Sequence, residues 1–171
     1  EGIKIAISWH GGETAFDKRQ RAVPLSAFEP LSKLKDISLV SVQKGEGTQQ
    51  LEQVSFPVQE FTLDLDEGES AFLDTAAIID QSALVVTVDN SVAHLAAALG
   101  RPVWMILPEG QPDWRWGADG RDSLWYPTLE IFTKEPNESY DDLLTRLARR
   151  LEMMQSGVDP DELDKSLQVD E

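Results

Sequence analysis

The chain has no cysteine, which excludes disulfides and thiolate metal sites and suits a reducing compartment such as the cytoplasm. Histidine occurs only at His10 and His94, too thinly for a histidine-built zinc site, and no metal cofactor is expected. Positive charge is scarce: 15 Lys and Arg stand against 31 Asp and Glu, a formal net charge of -16. A field of that sign repels nucleic acid and anionic lipid, so any bound phosphate must be held by a few local donors. No apolar run approaches the roughly 20 residues that cross a bilayer, and no basic segment leads an apolar one at the start. Two nucleotide signatures are also missing. No G-x-G-x-x-G follows the first strand pattern, and "HGGETAFDKRQR" lacks the spacing of a P-loop, which argues against nicotinamide-dependent and NTP-hydrolysing enzymes.

What is present fits one core: 171 residues with 41% hydrophobic content. "IKIAISW" (3–9) alternates like a strand and ends in His10-Gly11-Gly12. "ISLVSVQ" (37–43) reads as a second strand, "FTLDL" (61–65) as a short third, and "ALVVTVD" (83–89), nearly all apolar and β-branched, as a central one buried on both faces. "VWMIL" (103–107) and "LEIFT" (129–133) complete a set of about six strands. Between them lie helical patterns. Leu25, Phe28, Leu31 and Leu34 have helical spacing divided by Pro30, "FLDTAAIIDQS" follows the third strand, and "SVAHLAAAL" places Val92, Leu95, Ala96 and Leu99 on one face before Gly100. "SYDDLLTRLARRLEMM" carries a stripe of Tyr140, Leu143, Leu144, Leu147, Leu151 and Met154, with a capping box at Ser139 and Asp142 and a helical pair Asp142–Arg146. Strands alternating with helices predict an α/β domain over residues 1–155 with a doubly wound, mainly parallel sheet, followed by an acidic tail over 156–171. The sequence begins at Glu1, directly before a strand, as a piece of a longer polypeptide would.

Ligands of such sheets collect at the carboxyl ends of the strands. There the sequence crowds Asp89, Asn90, Ser91 and His94 into one corner between apolar walls. Two readings stand. In one, helix N–H groups and the helix dipole hold an anion, and the positive helix end disfavours an imidazolium, so that a neutral His94 donates towards a bound oxygen. In the other, Asn90 or Ser91 simply caps the helix, Asp89 satisfies backbone donors and His94 is an interior residue. The segment "PEGQPDWRWGADGRDSLWYPT" poses a similar choice. Asp113, Trp114, Arg115 and Trp116 form either a lid over a ligand or, for the two tryptophans, a plug of the core.

"VDNSVAHLAAALGRPVWMILP" closely resembles the donor-binding segment of glycosyltransferase family 9, the heptosyltransferase-like enzymes, whose pattern is roughly D-[ST]-[GS]-x-x-H-L-A-x-A-L-G-x-P. "ISWHGG", "SVQKG", "LDTAAIIDQSALVVTVD" and "PDWRWGADGRDSLWYPTLEIF" look like a bacterial subgroup in which this domain follows tetratricopeptide repeats. The resemblance implies one Rossmann-like half of a GT-B fold, the half that binds a nucleotide-diphosphate sugar. It assigns the diphosphate and sugar to Asp89, Asn90, Ser91 and His94, with Ser8, Trp9 and Lys18, or Arg21 in its place, also holding phosphate. It puts Gln43 and Lys44 beside the ribose and Leu73 beside the base. Two positions depart from the pattern: Asn90 stands where Thr or Ser is commoner, and Trp9 replaces a small hydroxyl residue. The resemblance further implies metal-independent, inverting transfer whose general base comes from an N-terminal acceptor domain, so no catalytic residue is expected in this chain and it is expected to be inactive alone. Its partners would be the nucleotide sugar and that acceptor or repeat domain. The alternative is a degenerate, non-catalytic module used for protein interaction or sugar-nucleotide sensing.

Overall fold

The computed structural model describes residues 2–11, 21–61, 65–67, 71–108, 116 and 123–158. Five strands form one sheet among them: β1 (Ile3–Ser8), β2 (Ile37–Ser41), β3 (Leu84–Val88), β4 (Val103–Leu107) and β5 (Leu129–Thr133). Their order is β2-β1-β3-β4-β5 and every pairing is parallel. The count is one below the expected six. Residues 62–64 of "FTLDL" lie outside the described residues, and the nearest contribution to the sheet is an isolated parallel bridge between Val40 and Gln59. β3 and β4 are buried along their whole length, as their continuous apolar sequences require of inner strands in a parallel sheet. The chain leaves β1 towards β2 on one side and returns to β3 on the other, so the strand order reverses between β1 and β3.

Helices cover both faces. One face carries a 3-10 turn at Leu25–Phe28, α1 (Glu29–Ser32) and α4 (Tyr140–Gln155). Pro30 divides these first two as expected, because its fixed φ and missing N–H are tolerated in a helix's first turn. Trp9, Phe28, Trp104, Leu143, Leu144 and Leu147 pack there. The other face carries α2 (Leu73–Asp80) and α3 (Ser91–Ala98), over Ala6, Val85, Met105 and Trp116.

Two sequence expectations change in detail. α3 buries Val92, Ala93, Ala96 and Ala97 rather than Val92, Leu95, Ala96 and Leu99. Small alanines let the helix lie close on the sheet, which displaces Leu95 to the flank and leaves Leu99 45% exposed. In α4 the capping box between Ser139 and Asp142 is present, but Arg146 pairs with Glu138 at 3.2 Å instead of Asp142. The box itself explains this. Asp142 accepts from the Ser139 amide and hydroxyl, which also hold its carboxyl below the usual range. Of the 156–171 tail, residues 156–158 are exposed and the remainder lies outside the described residues.

Candidate functional site

The reversal between β1 and β3 brings the ends of those strands side by side, with Ser8 in register with Thr87. Two residues past β3, Asn90 takes the extended conformation of a helix N-cap. Its Oδ1 accepts from Val92 N (3.0 Å), Ala93 N (3.2 Å) and the Thr87 hydroxyl (3.1 Å). Backbone amides only donate, so this end of the amide must be oxygen, and Nδ2 donates to Ser8 Oγ (3.0 Å) and His10 O (3.3 Å). Ser8 passes the relay on. Its hydroxyl donates to Gln43 Oε1 (2.9 Å), which also accepts from Trp9 N and His10 N at 3.0 Å each. Gln43 Nε2 donates to Glu46 O at 2.9 Å. A buried carboxamide thus ties the end of β1 to the turn after β2, and a second carboxamide ties it to the start of α3.

Above this relay lies a cleft of about 310 Å³. Of the residues singled out from the sequence, Ser8, Gln43, Lys44, Asn90 and Ser91 line it. His10, Glu46, Asp66 and Phe72 line it too, and sequence reasoning passed over them. Lys44 reaches across to the turn before α2, donating to Leu65 O (2.7 Å) and Asp66 O (2.9 Å). Asp66 in turn serves α2 as a remote cap: its Oδ1 accepts from Asp74 N (2.9 Å) and Thr75 N (3.3 Å), while Asp74 Oδ2 accepts from Asp66 N. That cap offsets the lack of any side-chain cap at Phe72, the residue preceding α2. Phe72 borders the cleft, whereas Leu73 is 63% exposed and outside its lining.

Trp9 is placed differently from the expectation. Side chains alternate along an extended segment, so Ser8 and His10 share the cleft side while Trp9 turns into the core, fully buried, with Nε1 donating to Gly47 O at 3.1 Å. Gly47 has φ +94°, and a Cβ there would stand 2.9 Å from His10 Cβ, so only glycine permits this closeness.

Asp89 and His94 lie outside the cleft's lining. Asp89 meets the exposed Arg21 guanidinium at 3.8 Å. His94 stacks on Trp116, with centroids 5.1 Å apart and planes 28° apart, and sits edge-on to Tyr126, whose hydroxyl is 3.1 Å from Nδ1. Trp116 is fully buried, as the packing reading expects, and among the described residues no acceptor reaches its Nε1. Asp113, Trp114, Arg115 and Lys18 lie outside the described residues. Among the described residues no group of three or more His, Asp or Glu could hold a metal, and no helix is long and apolar enough to cross a membrane.

A parallel, doubly wound sheet with a cleft where its strand order reverses defines a Rossmann-like α/β domain. Residues 37–108, which run from β2 through α3 to the end of β4, match the model of glycosyltransferase family 9 (heptosyltransferase), as the residue pattern led us to expect. The fold is also that of about half of two Escherichia coli heptosyltransferases. Heptosyltransferase WaaC with ADP-2-deoxy-2-fluoro heptose aligns with a TM-score of 0.57 and 15% identity over 91% of this chain and 44% of that one. ADP-heptose lps heptosyltransferase II aligns at 0.59 and 15% over 92% and 48%. Protein FlbA of Caulobacter vibrioides is 24% identical over 156 residues, 88% of this chain and 25% of that protein. The chain therefore spans about a quarter of that curated relative and under half of each solved structure.

Proposed function

We propose that this chain is the donor-binding domain of a metal-independent, inverting glycosyltransferase, takes a nucleotide-diphosphate sugar, and transfers nothing without an acceptor domain of the same polypeptide. The observation that carries this reading is the cleft between the ends of β1 and β3, where Ser8, Asn90 and Ser91 meet. Two solved structures of the similar heptosyltransferase WaaC, one with ADP and one with ADP-2-deoxy-2-fluoro heptose, support the class of ligand. In this reading Asn90 shapes the cradle rather than offering its own donors, because both ends of its carboxamide are already engaged. Ser91, in the first turn of α3, and the helix's positive end face the diphosphate, with Lys44 beside the ribose and Phe72 taking the place beside the base expected of Leu73. Lys18 and Arg21 are the cations proposed to stabilise charge on the leaving diphosphate. Asp89 orients Arg21, and His94 supports α3 from the far side. The acceptor hydroxyl still needs a carboxylate base, which this reading assigns to the second domain. A bacterial, cytoplasmic protein with tetratricopeptide repeats before this domain is the context proposed.

Calorimetric titration with ADP-heptose and with UDP and GDP sugars tests the proposal. Weak binding of one of them without turnover is expected. Steady transfer by the isolated 171 residues would overturn the need for a second domain, and no binding by any would overturn the donor-site reading. One observation favours the sensing or interaction module as a second reading: the relay Gln43–Ser8–Asn90 is satisfied internally without ligand. An intact fold that binds none of these sugars would select it.

A further inference from the structure

Resting on the donor-site reading, the geometry points to His10, not Trp9, as the second side chain that β1's end presents to the donor's pyrophosphate, with Glu46 occupying the anion's place until it binds. Five contacts fix His10. Its amide donates to Gln43 and its carbonyl accepts from Asn90 Nδ2. It bridges Ala22 in antiparallel fashion. Its Cβ packs on Gly47, where no larger residue fits. Its Nδ1 lies 2.6 Å from Gly11 O, and since a carbonyl only accepts, Nδ1 carries the proton. The ring is thereby oriented, with its Nε2 left towards Glu46 Oε1 at 3.8 Å and its side chain only 12% exposed at the cleft wall.

The chemistry follows from charge. In a chain of net charge -16 an anion needs local cations, and Lys44 is committed to two carbonyls. Among the described residues, the other charged groups near His10 are Arg21, which pairs with Asp89 beside Gly11, and Asp66 and Glu46, which line the cleft. A protonated Nε2 donating to a phosphate oxygen gains a charge-assisted hydrogen bond, which a neutral imidazole in this tautomer cannot offer. The Glu46 carboxylate competes for that nitrogen. It sits on a turn between Gly45 and Gly47, 40% exposed, so its side chain can yield to a ligand.

The probes are ADP-ribose and UDP-glucose, whose pyrophosphates keep constant charge near neutrality, with adenosine and uridine as phosphate-free controls. For the wild-type chain, affinity for the better of the two pyrophosphates should rise about three- to tenfold from about pH 8 to about pH 6, while the nucleoside controls stay flat. H10Q should lose most of that rise, and E46Q, which leaves the Glu46 carbonyl in place for Gln43, should tighten binding at about pH 8 by roughly threefold. Pyrophosphate binding that is flat with pH and unchanged in E46Q overturns the role of His10 but leaves the donor-site reading standing. H10Q binding like wild type does the same. Absence of binding by either pyrophosphate at every pH overturns both.

Discussion

Asn90 and His94 lie within one turn of α3 and their surroundings share nothing. Asn90 belongs to a polar relay in which Gln43, Ser8 and the first amides of α3 satisfy one another at the bottom of an open cleft. His94 lies in an aromatic corner, stacked on a buried indole and bonded to a phenol, outside that cleft. In the linear sequence the two look like members of one crowd. Folded, they mark two regions with separate tasks: the relay sets the shape of the cleft, and the aromatic corner holds α3 down from the other side.

Each region can be broken by itself, and the effects should rank. Trp116→Ala empties the most volume and should cost about 4 kcal/mol in urea unfolding, by cavity and lost contacts. Gln43→Met keeps size but leaves Ser8 Oγ and the amides of Trp9 and His10 without their acceptor; about 3 kcal/mol is expected, together with loss of nucleotide-sugar binding in calorimetry. Asn90→Ala removes the cap of α3 and the donor to Ser8, for about 2 kcal/mol and weaker binding by the same assay. Tyr126→Phe deletes only the hydroxyl at His94 Nδ1 and should cost about 1 kcal/mol or less, with binding unaffected. The division into two tasks fails if Tyr126→Phe impairs binding as much as Asn90→Ala does.

The sheet was legible because its signal is periodic and local. Nearly continuous apolar runs marked β3 and β4, and the five strands that form the sheet lie where the pattern put them. Helix faces were less legible: α3 is so rich in alanine that periodicity ranked its leucines first, although closeness to the sheet favours the smaller residues. Within the site, Asn90 and Ser91 were read from their place at the start of a helix, and Ser8, Gln43 and Lys44 came from the family resemblance; all five line the cleft. His10, Glu46 and Asp66 were missed. His10 was grouped with Gly11 and Gly12 at the end of the first strand pattern, yet the alternation that makes Trp9 inward after Ser8 makes His10 outward, and applying it one residue further would have found it. Glu46 and Asp66 depend on contacts across long sequence separations, which no local pattern reports.

The Trp9 indole, pinned to Gly47 O beneath the floor of the cleft, makes the protein its own optical gauge. Its neighbours along the chain are two cleft-lining residues, and its acceptor adjoins Glu46, so displacement of that carboxylate would alter the electric field across the ring. In a variant whose remaining tryptophans are replaced by phenylalanine, emission from Trp9 would track occupancy directly, with no labelled ligand.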